Sequence, residues 1–527
     1  MPMYRLDVID LIILCLYGVF IIGAGIRFMK EHETAEDYFL AGRSMGWPLI
    51  GLSLFASNIS STTLIGLSGD AYKTGISVFN YEWMAAVVLI FFVFFILPFY
   101  LKSKIYTVPE FLEKRFDGRI RKYFSVLTIF LNIVVDTAGS LYAGALLFKL
   151  IFPQVPIWQT IGIIALISGL YTVAGGLRAV IHTDTIQAIL LIIGSVVLTL
   201  EGLARVGGWK TLVANTTPGM LSLVRPLDDP AVPWLGLLTG IPILGFYFWC
   251  TNQFMVQRAL SARDLHHGRL GALFAGLLKL PVLFIMVIPG TIALHLYPNL
   301  SQADLVYPTL LFDLLPTGLL GVVLAGFLAA LMSQIDSTLN SASTLVTMDF
   351  IKKWKPHLDS RNLMVIGRVV TVFFMLLAAL WAPQIQNFTS LFRYLQRVLS
   401  YAVSPVVALF LIGIFWKRAN AKGAFYAILL GTSSGAVLFV INEILKWTHL
   451  HFLYVAPLLL GISSLVLVLV SLKTTPPPLS KVQNFSWSRT FFKAESTQLQ
   501  RVPFFKNYRF LSLGIIILTA IILYCFW

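Results

Sequence analysis

Charged side chains are scarce in this sequence: they make up 12% of its 527 residues, whereas an ordinary soluble domain carries about 25%. The three cysteines lie in separate apolar segments, without the spacing of a disulfide framework or a zinc site. There is no Walker loop, no HExxH and no convincing nucleophile elbow, and the eight histidines are scattered. These absences argue against a separate soluble domain and an enzyme, and no organic cofactor is expected.

Hydrophobic residues make up 57% of the chain. Apolar runs of about twenty residues, enough to cross the hydrocarbon core of a bilayer, recur from end to end. We predict an all-α membrane protein with about 14 transmembrane helices. The predicted spans are 7-27, 47-72, 80-101, 120-151, 157-174, 184-205, 232-256, 270-296, 309-350, 362-383, 388-415, 421-445, 451-472 and 508-527. The first run has no cleavage pattern after it, so it is predicted to be a retained helix.

The net charge of +15 is explained by topology, so no nucleic-acid partner is expected. Lys and Arg concentrate in alternate loops, such as 102–122, the loop with Arg258, Arg263 and Arg269, and 352–361, while the loops around Pro298 and Pro383 have none. By the positive-inside rule, both termini face outward. The proline-containing stretch from Lys473 to Arg509 is then a cytoplasmic tether before the last helix.

The predicted spans two to six and seven to eleven form two sets of five with opposite orientation. The first span of each set has a polar interruption, at 56–63 and at 245–253. Paired interruptions at membrane depth indicate a transporter binding site, although polar helix-packing faces are an alternative. The predicted organisation is an N-terminal helix and loop at 1-46, a transport core at 47-415 with repeats 47-205 and 232-415, two peripheral helices at 416-472, a cytoplasmic linker at 473-507 and a last helix at 508-527.

Ionisable residues inside the predicted spans are functional candidates, because a charge in the membrane interior is costly and either pairs or faces a water-filled pathway. Near-interface residues that snorkel to water are the simpler interpretation of Glu201, Glu443 and Arg368. The remaining candidates are Glu82, Asp136, Asp184, Lys279, Asp336, Arg393 and Arg397.

Several motifs resemble those of the sodium-solute symporters, and within them the sodium-glucose branch. They occur in family order and cover most of the chain. They are Phe55-Ala56-Ser57-Asn58-Ile59-Ser60-Ser61, Tyr81-Glu82-Trp83, residues 171–177, Thr183-Asp184-Thr185, Trp249-Cys250-Thr251-Asn252-Gln253, Val256-Gln257-Arg258, Leu278-Lys279-Leu280, Asn340-Ser341-Ala342-Ser343-Thr344 and Tyr394-Leu395-Gln396. The resemblance implies a LeuT-type 5+5 inverted repeat with broken helices in both repeats, and sodium and solute near the midplane.

The resemblance also implies a sodium site made of the backbone carbonyls of Ala56, Ile59 and Ala330 and the hydroxyl of Ser333. Oxygen ligands of this kind can replace the hydration shell of a hard cation. Gln334 stands where the family usually has a second serine, so its amide oxygen either substitutes or leaves the site weakened.

A second cation site, found in some members of the family, is implied at four other residues. Asp336 replaces what is more often a hydroxyl residue. Its carboxylate could compensate for the Gln334 change, bind another sodium ion, carry a proton or form an ion pair with a neighbouring basic residue. The four residues are Ser57, Asp184, Asp336 and Ser337.

The solute contacts implied by the resemblance combine hydrogen-bonding groups with an aromatic surface, which suits sugar hydroxyls and an apolar ring face. Glu82 and Lys279 would offset each other's charge, which favours a neutral solute. Thr63 and Gly245 depart from the glucose pattern and leave the sugar undetermined. The implied solute residues are Asn58, Thr63, Glu82, Trp83, Phe248, Trp249, Lys279 and Gln396.

The sequence therefore predicts a sodium-coupled symporter of a neutral polyhydroxylated solute, such as glucose, galactose or an inositol, working by alternating access. Sodium is the expected coupling ion, and the protein is expected to act as a monomer in a plasma membrane, specifically the bacterial cytoplasmic membrane. The alternatives are a sodium-coupled symporter of a carboxylate or amino acid, and an uncoupled sensor or uniporter of the same fold.

Overall fold

The fold is built from helices. The computed structural model describes residues 6–29, 34–300, 302–387, 391–500 and 502–527, and no strand occurs in these ranges apart from two isolated bridges. The main helices are Val8–Met29, Trp47–Asn58, Ser61–Thr74, Ile76–Lys102, Val108–Arg115, Gly118–Ile151, Ile157–Val206, Trp234–Thr251, Gln253–Leu260, Leu265–Lys279, Leu283–Leu296, Val306–Leu314, Leu319–Trp354, Ser360–Gln386, Leu391–Ala402, Ser404–Phe415, Ala421–Ile444, Phe452–Lys473, Arg489–Leu499 and Tyr508–Cys525. Several of them include π-helical turns.

The described helices account for every predicted span. Among the described residues, nine helices are long and apolar enough to cross a membrane, and three bent pairs have the length and composition of one further span each. The apolar segments Val8–Phe20 and Ile157–Gly169 correspond to the first and fifth predicted spans. The prediction of an all-helical multi-pass protein is therefore confirmed.

Both predicted helix interruptions are present. The first lies between Trp47–Asn58 and Ser61–Thr74, which meet at an angle of 57°. Ser60 caps the second of these helices by accepting a hydrogen bond from the backbone N–H of Thr63. In the other repeat, a π-helical turn ends at Thr251 and Asn252 adopts extended backbone (ψ 126°) before the next helix. Ser and Asn favour such caps because their side chains satisfy free N–H groups.

Prolines introduce breaks that the span prediction did not include. Leu265–Lys279 and Leu283–Leu296 meet at 45° around Pro281, and Leu391–Ala402 meets Ser404–Phe415 at 54° just before Pro405. Proline removes a backbone donor and clashes with the preceding turn. The predicted span 309-350 is likewise wrong at its start, because Val306–Leu314 is a separate helix. Pro316 and Gly318, with a φ of +86°, lie between it and Leu319–Trp354.

Two connections differ from the prediction. The spans 157-174 and 184-205 belong to one helix of 50 residues, Ile157–Val206, which contains no proline to interrupt it. Most side chains of the motif at 171–177 lie outside the described residues.

The predicted tether is partly helical and attached to the core. The backbone N–H of Trp487 donates to the carbonyl of Ile414 at 2.9 Å, and Arg269 pairs with Glu495 at 2.5 Å.

The helix Leu319–Trp354, hereafter the central helix, determines where the site lies. It packs against Ile157–Val206, against both halves of the first broken helix and against the π-helical turn Asn132–Thr137. Its middle is almost entirely buried despite many polar side chains. Polar groups buried at membrane depth need hydrogen-bond partners or a cavity. Near the first break, the polar side chains of the central helix have both.

Candidate functional site

A cavity with a volume of about 100 Å³ lies beside both helix breaks, smaller than the usual range for small-molecule sites of about 300–1,000 Å³. Six of the eight predicted solute residues line it: Asn58, Thr63, Glu82, Phe248, Trp249 and Gln396. Its wall also includes Ser57, Ser60, Thr62, Tyr81, Asp136, Gly245 and Gln334. The structure therefore brings residues far apart in the sequence to one polar cavity.

Lys279 lies behind the cavity wall. Its ammonium group is 2.6 Å from Oε2 of Glu82 and also donates a hydrogen bond to Oδ1 of Asn58. The Lys279 side chain has no accessible surface, and its Nζ lies 5.5 Å from the ring centroid of Trp249. The predicted charge compensation between Glu82 and Lys279 is therefore confirmed. Through this pair, Lys279 positions two cavity residues, Asn58 and Glu82.

Trp83 does not reach the cavity in the part of the chain that is described. Its indole N–H donates to Oδ1 of Asn80 at 2.6 Å, and the Asn80 amide donates in turn to the carbonyl of Leu223 at 2.7 Å. Trp83 therefore anchors the start of its helix to a connecting segment. Its predicted contact with solute is not supported by this geometry.

The hydroxyls around the first break hold its backbone in place. Thr63 donates to the carbonyl of Asn58 at 2.6 Å, and its hydroxyl lies 3.3 Å from that of Ser60. These bonds close a short loop across Ile59, where the helix is interrupted. Thr63 thus lines the cavity while stabilising the unwound segment.

Aromatic rings cover the cavity on two sides. The ring of Phe248 packs edge-on against Trp249, with centroids 5.2 Å apart. At the predicted outer end, Tyr81 and Phe392 make a second edge-on pair, also at 5.2 Å. Beyond that pair, Nε of Arg393 lies 3.9 Å from the carboxylate of Asp70. We expect this outer layer to restrict access from outside.

The residues of the predicted sodium site come from the first break and the central helix. Ala56 and Ile59 are at the break, Ala330 and Ser333 are on the central helix, and all four are buried. The last carbonyls of a helix have no partner within it, so an interrupted helix offers oxygen atoms to a cation. The Ser333 hydroxyl donates to Oδ1 of Asp184. Oε1 of Gln334 is buried without a hydrogen-bond partner among the described residues, and Gln334 faces the cavity.

The predicted second cation site surrounds an arginine. Oδ2 of Asp184 accepts hydrogen bonds from Ser53 at 2.5 Å, from Ser57 at 3.4 Å and from Nη2 of Arg258 at 3.0 Å. Arg258 also donates to Ser337. Three of the four predicted ligands, Ser57, Asp184 and Ser337, are thus brought together, but a guanidinium group supplies the positive charge.

Asp336, the fourth predicted ligand, is buried on the same helix and is close enough to Arg258 for an electrostatic interaction. Sequence reasoning missed Ser53 and Arg258 as members of this network. Arg258 belongs to the quoted motif Val256-Gln257-Arg258 but was counted among inner-loop charges.

The comparisons agree with this architecture. The family model described as "Sodium:solute symporter family" matches residues 38–431. Sodium/glucose cotransporter 4 of Danio rerio is 34% identical to this chain, covering 94% of it and 83% of the relative. The sodium/mannose cotransporter of Bos taurus is 35% identical, over 92% and 90%, and the sodium/myo-inositol cotransporter of Mus musculus is 35% identical, over 95% and 78%.

Solved structures show the same fold. A Na+-coupled sialic acid symporter in a substrate-bound outward-open state superposes with a TM-score of 0.79 at 23% identity, covering 89% of this chain and 99% of that one. Mhp1, a nucleobase-cation-symport-1 transporter in a closed conformation, gives 0.56 at 13% identity, with coverages of 85% and 97%. The fold is the LeuT-type inverted repeat. The chain belongs to the sodium:solute symporter family and is a multi-pass membrane protein and secondary transporter, not an enzyme.

Proposed function

We propose that this protein is a sodium-coupled symporter of a neutral polyhydroxylated solute, a sugar or an inositol. The observation that carries the proposal is the buried Lys279 ammonium, which binds both Glu82 and Asn58 where they line the cavity. The pair leaves hydrogen-bonding oxygens on the wall while cancelling the charge of Glu82. A neutral solute that both donates and accepts hydrogen bonds fits this arrangement.

The remaining wall supports a sugar-like ligand. Gln396 contributes an amide, and Phe248 presents an aromatic ring in the same cavity. An apolar ring face gains from contact with an aromatic surface. The relatives include transporters named for glucose, mannose and myo-inositol, which share a ring bearing several hydroxyl groups.

Sodium coupling is proposed at the carbonyls of Ala56, Ile59 and Ala330 with the hydroxyl of Ser333. An ion there would bridge the first broken helix to the central helix and favour the solute-binding state. One positive charge moving inward through about 100 mV gains about 2.3 kcal/mol. A tenfold sodium gradient adds about 1.4 kcal/mol, so no hydrolysis is needed.

The test is uptake of labelled glucose, mannose and myo-inositol into proteoliposomes, with an inward sodium gradient or with choline replacing sodium. We expect sodium to stimulate uptake of at least one of them. Ser333→Ala should strongly reduce the stimulation, because it removes a side-chain ligand of the proposed ion. Ser343→Ala is a matched control on the same helix, since the Ser343 hydroxyl donates to the Gly367 carbonyl, away from the break.

The uptake assay also separates the alternatives. The Ser333 hydroxyl donates its hydrogen bond to Asp184 and is therefore already engaged with another side chain. For this reason, an uncoupled transporter of the same fold is the second candidate. Equal uptake with sodium and with choline would favour it and contradict sodium coupling. Sodium-driven uptake of a carboxylate or an amino acid, without uptake of glucose, mannose or myo-inositol, would contradict the proposed solute class.

We further propose that the protein acts as a monomer in a bacterial cytoplasmic membrane. The short connections between helices support a minimal transporter, and each chain contains both repeats and the whole cavity. Single-molecule photobleaching of labelled protein in native membranes tests the monomer, and fractionation of the source cells tests the membrane.

A further inference from the structure

Asp136 is a carboxylate on the cavity wall that the proposed function does not use. Its side chain is partly accessible. Among the described residues, it makes no hydrogen bond and no ion pair. Asp136 interacts electrostatically with the hydroxyls of Tyr247 and Tyr394. Neither group carries a positive charge. An ionised group in such a place is costly unless a cation offsets it.

The other carboxylates near the solute and sodium positions have cationic partners. Glu82 is paired with Lys279, and Asp184 is paired with Arg258. The Lys279, Asp184 and Arg258 side chains have no accessible surface, and that of Glu82 has little. Asp136 is therefore a carboxylate of the described cavity wall that has no cationic partner among the described residues.

Gln334 supplies a second oxygen on the same wall. Its Oε1 is buried without a hydrogen-bond partner among the described residues, and the side chain lines the cavity that Asp136 also lines. A buried carbonyl oxygen that accepts no hydrogen bond is destabilising. A carboxylate and an amide oxygen are ligands of the kind that hard cations prefer.

The local backbone explains how these two groups come to share the cavity. Asp136 lies on the π-helical turn Asn132–Thr137, and such turns often occur at functional sites. The hydroxyl of Thr137 is 2.7 Å from that of Thr338. Thr338 follows Gln334 by one helical turn and donates to its backbone carbonyl at 2.9 Å. The two helices are thus bonded together beside the two oxygens.

We propose that Asp136 and Gln334 bind a sodium ion inside the solute cavity, separate from the ion at Ala56, Ile59, Ala330 and Ser333. The inference rests on the proposed sodium-coupled function and adds a second ion to it. Two sodium ions then accompany each neutral solute. Because each ion contributes its own electrochemical gradient, the accumulation ratio of the solute is roughly squared.

Equilibrium binding of ²²Na⁺ to the purified full chain in lipid nanodiscs, without solute, tests this site. We expect two ions per chain for the parent protein and one for Asp136→Asn. Ser333→Ala should also bind one ion, and the double variant none. Gln334→Met should lower the binding affinity for the second ion several-fold. In proteoliposomes, the charge moved per solute should fall by half in Asp136→Asn.

Thr137→Val is the control for local packing, because it removes the Thr137–Thr338 hydrogen bond and leaves both oxygens in place. It should still bind two ions. If Asp136→Asn fails to fold, as judged by its melting temperature, Gln334→Met still tests the site. A count of two ions in Asp136→Asn, or, if that variant does not fold, an unchanged sodium affinity in Gln334→Met, would overturn the inference while leaving the proposed function intact. Absence of sodium binding in the parent would overturn both.

The same variants test whether the carboxylate serves the solute instead. If the parent takes up glucosamine at least tenfold better than glucose and Asp136→Asn loses this preference, Asp136 binds the ammonium group of a solute. That result would overturn the sodium assignment.

Discussion

The guanidinium of Arg258 lies 3.0 Å from the carboxylate of Asp184, and neither side chain has any accessible surface. This pair joins the second repeat to the helix Ile157–Val206 of the first repeat, next to the proposed sodium site. Ser333, a proposed sodium ligand, donates to the same carboxylate. In this structure, the position predicted for a second cation is therefore part of an ion pair.

Breaking this pair should strongly destabilise the protein. Asp184→Asn removes the carboxylate that is hydrogen-bonded to the buried Arg258 guanidinium, and the loss of one partner of a buried ion pair typically costs about 3–5 kcal/mol. We expect a lower free energy of unfolding in detergent titrations. The double variant Asp184→Leu, Arg258→Met should lose much less stability than the summed losses of Asp184→Leu and Arg258→Met measured singly. Additive losses would contradict a direct interaction.

Removing the Lys279 charge should weaken solute binding. Lys279→Gln leaves Glu82 buried and uncompensated and removes a hydrogen bond to Asn58. We expect kcat/KM for uptake to fall roughly 100-fold, which corresponds to a loss of about 2.8 kcal/mol of interaction free energy. Adding Glu82→Gln to Lys279→Gln should restore folding without restoring solute affinity, as measured by uptake kinetics. Full uptake by Lys279→Gln would contradict the positioning role.

The Tyr81–Phe392 ring pair should restrict outer access to the cavity. Edge-on ring pairs contribute about 0.5–1.5 kcal/mol, so Phe392→Ala should speed labelling of a cysteine at Leu395 by up to about tenfold. The reagent is a membrane-impermeant maleimide added outside, in a background without the native cysteines. Tyr81→Phe keeps both rings and should label like the parent. Equal rates for Phe392→Ala and the parent would exclude this gate.

Docking of the helix Arg489–Leu499 should depend on pH. Burial by itself raises the pKa of Glu495, but the hydrogen bond from Tyr508 and the charge of Arg269 outweigh it, and its pKa is lowered from the ordinary value of 4.5. A lowered folded-state pKa contributes stability above pH 4.5 that is lost as the pH falls through that lower pKa.

A spin label at Thr497, in the same cysteine-free background, measures this docking. The mobile fraction should rise only as the pH falls below 4.5. Glu495→Gln should be more mobile at every pH because it cannot form the ion pairs. A label whose mobility in the parent does not change with pH would contradict the prediction.

The helix breaks could be predicted because their causes are local. Residues 56–63 and 245–253 combine polar, poorly helical side chains with capping residues, and the structure interrupts the helices at Ile59 and Asn252. The compensation of Glu82 by Lys279 could also be anticipated, because few charges lie inside the spans. The solute and cation roles of these residues are still predictions.

Arg258 shows what could not be predicted. Counting basic residues placed it in an inner loop, since the sequence does not show that its helix packs against Ser53 and Asp184. Trp83 is the converse case: it adjoins Glu82 in the sequence, but its indole binds Asn80. Neighbours on a helix point in different directions, so adjacency in the chain did not place it in the cavity.

The sequence by itself determined the membrane class, most of the helical spans and the breaks at 56–63 and 245–253, because hydrophobic length, charge distribution and capping act over a few residues. The tertiary structure decided which charges compensate each other: Arg258 with Asp184, and Lys279 with Glu82. Within the described part of the chain, it also left Asp136 on the cavity wall without such a partner. Compensation requires side chains within a few ångströms, and for residues tens to hundreds of positions apart only the packing of helices sets that distance.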